Sequence, residues 1–175
     1  GASNVQAGNV LEMYLAGALV QTDSLTAGQS SQAVKISSVT EGSNLITAKF
    51  IRGDMEIASN ELRYILDTTA PSKAVVSGAQ SISDGIMNLS DAEGAFIRVT
   101  LSDDAKKGDV ITLNNGSSAE GTATVGAAQL ADGYVDFLIT GSGLGADADY
   151  VFTASIVDVV GNVGVVSDPF TLTKD

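Results

Sequence analysis

The chain repeats itself in order. "GNVLEMYL" (Gly8 to Leu15) corresponds to "GDVITLNN" (Gly108 to Asn115), "QAVKIS" (Gln32 to Ser37) to "GYVDFLI" (Gly133 to Ile139), and "LITAKFI" (Leu45 to Ile51) to "VFTASIV" (Val151 to Val157). "SNELRYILD" and "SDPFTLTKD" then close the two copies, with Asp67 aligned on Asp175. Such a repeat means one structural unit used twice. Within it, apolar residues alternate. Ala95, Ile97, Val99 and Leu101 share one face of a strand, as do Val135, Phe137 and Ile139, and Tyr150, Phe152, Ala154 and Ile156. Glycine and Asp/Asn/Ser clusters punctuate these runs, and no window shows a convincing helical period. The pattern predicts an all-β fold of antiparallel sandwich modules.

The repeat is incomplete at its front. Residues 73–107, which carry the first two strands of the second copy, have no counterpart before Gly8. The expected organisation is an incomplete module over 1–66, a linker over 67–72 and a complete module over 73–175. The missing strands admit three explanations: a chain cut inside a module, a module split by an insertion, or a module completed by strand donation from another chain. Strand addition has physical force, because an incomplete sandwich leaves open edges and an uncovered core. The expected core of the second copy is Val99, Leu101, Ile111, Leu113, Val135, Phe137, Phe152, Ala154, Ile156, Phe170 and Leu172. That of the first is Val10, Ile36, Ile46, Ala48, Phe50, Leu62 and Tyr64.

Composition removes several functions. There is no histidine and no cysteine in the 175 residues, which excludes disulfides, thiolate metal sites and nucleophilic triads that need His. The balance of 21 acids against 9 bases, net −12, argues against nucleic acid, which requires clustered Lys and Arg. From Asp67 onward there are 15 acids and 5 bases, so most of the excess belongs to the second copy. No apolar run of roughly 18 residues is present, so membrane insertion is not expected. No basic-then-apolar leader opens the sequence, and an export signal is expected outside this segment.

A strand beginning Gly-Asp-x-Ile-x-Leu at Gly108, the Asp132-Gly133-Tyr134-Val135 strand, "VFTASIVDVVGN" from Val151, and a strand running into Asp67-Thr68-Thr69-Ala70-Pro71 resemble the bacterial Ig-like repeats of giant surface adhesins, including calcium-dependent RTX adhesins. The resemblance covers residues 8–175. It implies tandem Ig-like antiparallel β-sandwich modules, the first lacking its N-terminal strands, in a protein secreted to the bacterial cell surface. It also implies neighbouring Ig-like modules of the same chain as partners, and calcium as the bound ion. The first copy departs from the pattern by carrying "RGDMEIA" (Arg52 to Ala58) where the second has "DVVGNVGVV" (Asp158 to Val166).

Alternating loops of a seven-stranded sandwich place the acids at its two ends. Asp103, Asp104, Asp109 and Asp158, with Asn162, fall at the end where Asp67 enters. Asp84, Asp91, Glu93, Asp147, Asp149 and Asp175 fall at the other, and only Asp136 falls clearly inside a strand. Calcium takes six to eight oxygens from carboxylates, carbonyls and water, which loops can supply without fixed spacing. The candidate metal ligands are Asp67, Asp103, Asp104, Asp158, Asp91, Glu93, Asp147, Asp149 and Asp175, with Glu41 or Asn44 assisting Asp67 at the joint. Turn chemistry alone also selects Asp and Asn in loops, so both readings stand here. Pro71 fixes its own φ and biases Ala70 toward extended backbone, which predicts a taut strap rather than a flexible tether. Arg52-Gly53-Asp54 matches a receptor-binding tripeptide, but the same residues suit a turn in which Gly53 supplies positive φ.

Three function classes follow: a calcium-stiffened spacer supporting cell adhesion or biofilm formation, a module that binds a glycan, peptide or host receptor directly, and an enzyme. The enzyme is the weakest, since a two-carboxylate glycosidase needs a pocket, and the chain has no Trp and only 5% aromatic residues for sugar stacking. The expectation is a non-enzymatic spacer.

Overall fold

The computed structural model describes residues 5–91 and 94–175. The chain divides into two compact units, residues 1–68 and 69–175. Both are built mostly from antiparallel β-strands. Among the described residues, no helix is long and apolar enough to cross a membrane.

The first unit is a single five-stranded sheet. β1 (Val10–Leu15) and β2 (Ala18–Ser24) form a hairpin, and β3 (Gly42–Arg52) pairs with the other side of β1. β4 (Met55–Ala58) and β5 (Leu62–Leu66) both pair with β3, the first along its C-terminal half and the second along its N-terminal half. The β1–β2 turn is tight because Ala16 and Gly17 both take positive φ, +50° and +83°, matching the twist of the flanking strands.

The second unit is a sandwich. One sheet has the order β10 (Ser118–Thr124), β9 (Val110–Asn115), β12 (Ala148–Val157), β13 (Phe170–Lys174), β7 (Ile86–Met87). All its pairings are antiparallel except β13 with β7. The facing sheet has the order β11 (Tyr134–Ile139), β8 (Ala95–Thr100), β6 (Val75–Ala79). Inward residues of β8 (Ala95, Ile97, Val99) meet those of β9 and β12 (Ile111, Leu113, Phe152, Ala154, Ile156), all of them at most 2% exposed. Ile82, Met87 and Leu144 are buried in the same core. The core residues expected of the second copy are buried, with Leu101, Phe137 and Phe170 packed at its margin. Two short helices, α1 (Ala127–Asp132) and α2 (Gly141–Leu144), flank β11. Both are too short to imprint a helical period on the sequence. On the solvent face of the smaller sheet, Arg98 Nε and Nη2 donate to the two Asp136 oxygens at 2.8 Å each, and the guanidinium stacks 3.5 Å from the Tyr134 ring centroid.

The registers of the two units agree pair for pair. Leu11 sits opposite Phe50 and Met13 opposite Ala48, as Ile111 sits opposite Ile156 and Leu113 opposite Ala154. Ser59 and Ser167 each donate a backbone N–H and accept at Oγ from the same residue of the long strand, Ala48 or Ala154, with all four bonds at 2.8–2.9 Å. Three details differ from the sequence reading. Residues 32–37, the counterpart of β11, form no strand. The reason is that β11 finds its ladder only on β8, and the described residues of the first unit contain no such strand. Val10 is not on the inward face, since its counterpart Val110 points outward. Leu62 and Tyr64 are 60% and 45% exposed, and Ile36, Ile46, Ala48 and Phe50 only half-buried rather than core, because the described residues of the first unit form no second sheet over them.

Candidate functional site

Three stretches converge at one end of the second unit: the extended segment 69–72, the loop between β8 and β9, and the turn after β12. Thr69, Ala70 and Pro71 line a cavity of about 70 Å³ together with Asp104, Lys106, Asp109 and Asp158. Pro71 is buried, and its carbonyl lies so close to Gly164 that a Cβ there would come within 2.6 Å of it. Only glycine at 164 lets this segment lie against the sandwich.

Each carboxylate is held by its own loop. Asp104 accepts from the Ser72 N–H at 3.0 Å and from the Ser72 hydroxyl at 2.8 Å. The Ser102 hydroxyl and these Ser72 donors hold its carboxyl below the usual Asp range. Asp158 Oδ1 accepts from the N–H groups of Val160, Gly161 and Asn162 at 3.0, 2.8 and 2.8 Å, and Oδ2 from Asn162 Nδ2 at 2.8 Å. Desolvation pushes the Asp158 carboxyl up, but the Asn162 side chain and these N–H groups outweigh it and bring it below the usual value. Asp109 is different. It is 1% exposed, its Oδ2 accepts from the Lys106 N–H at 2.7 Å, and its Oδ1 is buried without a hydrogen-bond partner. A buried carboxylate oxygen left unpaired is costly, and a cation is one group that would satisfy it.

The remaining candidates of the second unit are dispersed. Asp67 is half-buried in the first unit, where Glu41 accepts from the Thr68 N–H and hydroxyl, and Asn44 is buried and tied to the backbone of Thr40 and Gly42. Asp103 is exposed beside Asp104. At the far end of the second unit, Asp91 is 6% exposed and accepts from the Asn88 N–H at 3.2 Å, closing its own turn. Asp149 lies inside β12, not in a loop, and accepts from the Thr173 hydroxyl at 2.7 Å. Asp147 lies 3.5 Å from Lys174 Nζ, which also donates to the Gly145 carbonyl. Asp175 shares an open cleft of about 460 Å³ with these two residues, so an ammonium already supplies positive charge there. Glu93 lies outside the described residues. No group of three or more His, Cys, Asp or Glu side chains that could hold a metal ion occurs among the described residues. What converges at the cavity is a looser set of three carboxylates, Asp104, Asp109 and Asp158, beside Lys106 and residues 69–71.

The sequence reading placed Asp109 in the right loop but did not name it as a ligand. One signal was available: the repeat sets Asp109 on Asn9, and only the charged copy is surrounded by further acids. Arg52-Gly53-Asp54 forms the hairpin tip between β3 and β4, with Gly53 at φ +58°, so the turn requirement accounts for the glycine.

No family model matches the chain, and no curated protein matches it. Solved structures do resemble it. A Ca²⁺-stabilized adhesin that helps an Antarctic bacterium reach out and bind ice is 22% identical, with a TM-score of 0.54, over 98% of this chain and 41% of that one. A bacterial ice-binding adhesin studied for host cell surface retention is 24% identical, with a TM-score of 0.51, over 98% of this chain and 55% of that one. Fibronectin(III)-like modules of CbhA from Clostridium thermocellum are 15% identical, with a TM-score of 0.49, over 98% of this chain and 79% of that one. The chain thus spans about half the length of the two adhesin structures, and the resemblance to them shows the fold.

Proposed function

We propose that this chain is a spacer segment of a larger bacterial surface adhesin and that calcium stiffens its second unit. The observation that carries the metal reading is the orphaned Asp109 oxygen, buried at a cavity shared with Asp104 and Asp158. Carboxylates have more lone-pair sites than their hydrogen bonds use here, and residues 69–71 line the same cavity. Hard oxygen donors of this kind suit Ca²⁺, which would neutralise the crowded charge and tie the incoming segment to two loops of the sandwich. The spacer reading rests on the path of the chain within the second unit. It comes in beside Asp158, at the C-terminal end of β12, and leaves at Asp175, near Asp147 at the N-terminal end of the same strand. A ten-residue strand therefore separates arrival from departure, roughly 30 Å at ordinary β rise.

The test is thermal unfolding of the whole chain in calcium and in chelator, beside Asp109→Asn. Calcium at about 100 times its Kd should stabilise the parent by about 2.7 kcal/mol. The variant should lose that gain while keeping the fold. A parent whose melting temperature ignores calcium sinks the metal reading.

A further inference from the structure

The tip of the β3–β4 hairpin carries two charges that neither the sheet nor the spacer role uses. β3 and β4 pair through Arg52 and Met55, so Gly53 and Asp54 make up the whole connection between them. Gly53 has φ +58°, and Asp54 is not in the left-handed region, which gives a tight hairpin turn with glycine at its first central position. That geometry explains the glycine. It does not call for the charges on either side of it.

Four charged residues lie on this hairpin, and two of them neutralise each other: Lys49 Nζ is 3.0 Å from Glu56. Among the described residues, the Arg52 guanidinium and the Asp54 carboxylate make no hydrogen bond or ion pair, either with each other or with a neighbour. Residues 53–58 are all exposed, and Arg52 is half-buried. The second unit uses its acid at this place differently. Asp158 Oδ1 accepts from the N–H groups of Val160, Gly161 and Asn162 and so closes its own turn. Asp54 closes nothing and stands at the apex. A two-residue connection between paired strands already limits its conformations, so little ordering cost falls on binding.

A free carboxylate has lone pairs with which to complete the shell of a hard divalent cation, but alone it cannot supply the roughly six oxygens such an ion takes. The cation must then belong to the partner. A free guanidinium two residues earlier suits carboxylates, which it grips in a bidentate fork. We propose that Arg52-Gly53-Asp54 is a docking tip for a receptor whose site holds a divalent cation beside acidic side chains, with Asp54 entering the cation's shell and Arg52 pairing with the acids. A partner surface of one sign would repel one of the two groups. This binding activity is additional to the spacer role and does not depend on calcium at Asp109.

The experiment immobilises the whole chain and measures capture of receptors of that chemistry, purified integrin ectodomains that bind the free Arg-Gly-Asp peptide, in magnesium buffer. The parent should capture them, and the free peptide should displace them. Asp54→Glu keeps the charge and the turn position but shifts the carboxylate by one methylene, and Arg52→Ala removes the fork. Each should weaken capture by at least about tenfold at an unchanged melting temperature, as expected when an anchoring contact is lost. Glu56→Gln, beside the tip but outside it, should leave capture as it was. A parent that captures none of the ectodomains overturns the proposal. So does equal capture by the parent and either tip variant, which would place the contact elsewhere on the chain.

Discussion

Ile46 and Phe152 stand at the same place in two copies of one sheet. Ile46 is flanked by Leu15 and Leu62, and Phe152 by Asn115 and Phe170. Phe152 is wholly buried, while Leu62 beside Ile46 is 60% exposed. The better apolar ladder is in the first unit, yet burial is in the second. Apolar alternation gives a strand a face, and the stabilisation comes only when another layer removes that face from water.

The largest expected effect tests this contrast directly. Phe152→Ala should cost about 3 to 5 kcal/mol in the second unit, as a large-to-small change in a closed core. Ile46→Ala should cost less than about 1 kcal/mol in the first, where water already reaches the face. Denaturant unfolding followed by residue-resolved exchange separates the units, and equal losses at the two sites would break the comparison.

Asn9→Asp sharpens it at the counterpart of Asp109. The change gives the first unit the buried carboxylate of Asp109, but Arg52 stands where the second unit has Asp158. It should destabilise the first unit by about 2 kcal/mol through an uncompensated buried polar group. Adding calcium should not restore the loss. A calcium-dependent recovery of its melting temperature would show that the single aspartate is enough.

The paired serines give a smaller contrast. Ser167 is 6% exposed, so Ser167→Ala leaves the Ala154 N–H without its partner away from water and should cost about 1 to 3 kcal/mol. Ser59 makes the same bond at an exposed position, and Ser59→Ala should cost no more than about 0.5 kcal/mol because water replaces the hydroxyl. In the same range, Ala16→Gly should raise the stability of the first unit by up to about 1 kcal/mol, by relieving a left-handed alanine in the β1–β2 turn. Thermal melts of the single variants measure both.

Acid should act last and least, since Asp104 is exposed and Asp158 only half-buried. Both carboxyls lie below their ordinary value in the folded state. Their contribution is therefore complete above the unfolded value of about 3.9 and is lost as pH falls through the lowered folded value. The second unit should lose melting temperature across that window in metal-free buffer. Asp158→Asn should flatten the loss.

In the second unit most strands and their facing were readable from the chain, as was the order of the repeat, because period-two alternation and punctuation by glycine and aspartate are local properties. The inward residues of β8, β9 and β12 followed from them. So did the loop that holds Asp104 and Asp109. What local pattern could not decide was whether a face has a partner. Val34 and Ile36 alternate as Val135 and Phe137 do, but a strand needs a neighbour for its backbone hydrogen bonds, and that neighbour is remote in sequence. The same limit applies to the acids. Asp147 and Asp109 look alike along the chain, yet folding brings Lys174 to the first and leaves one oxygen of the second buried and unpaired. Charge along a sequence is additive, whereas the cost of each charge depends on which groups the tertiary structure brings beside it and how far it removes them from water.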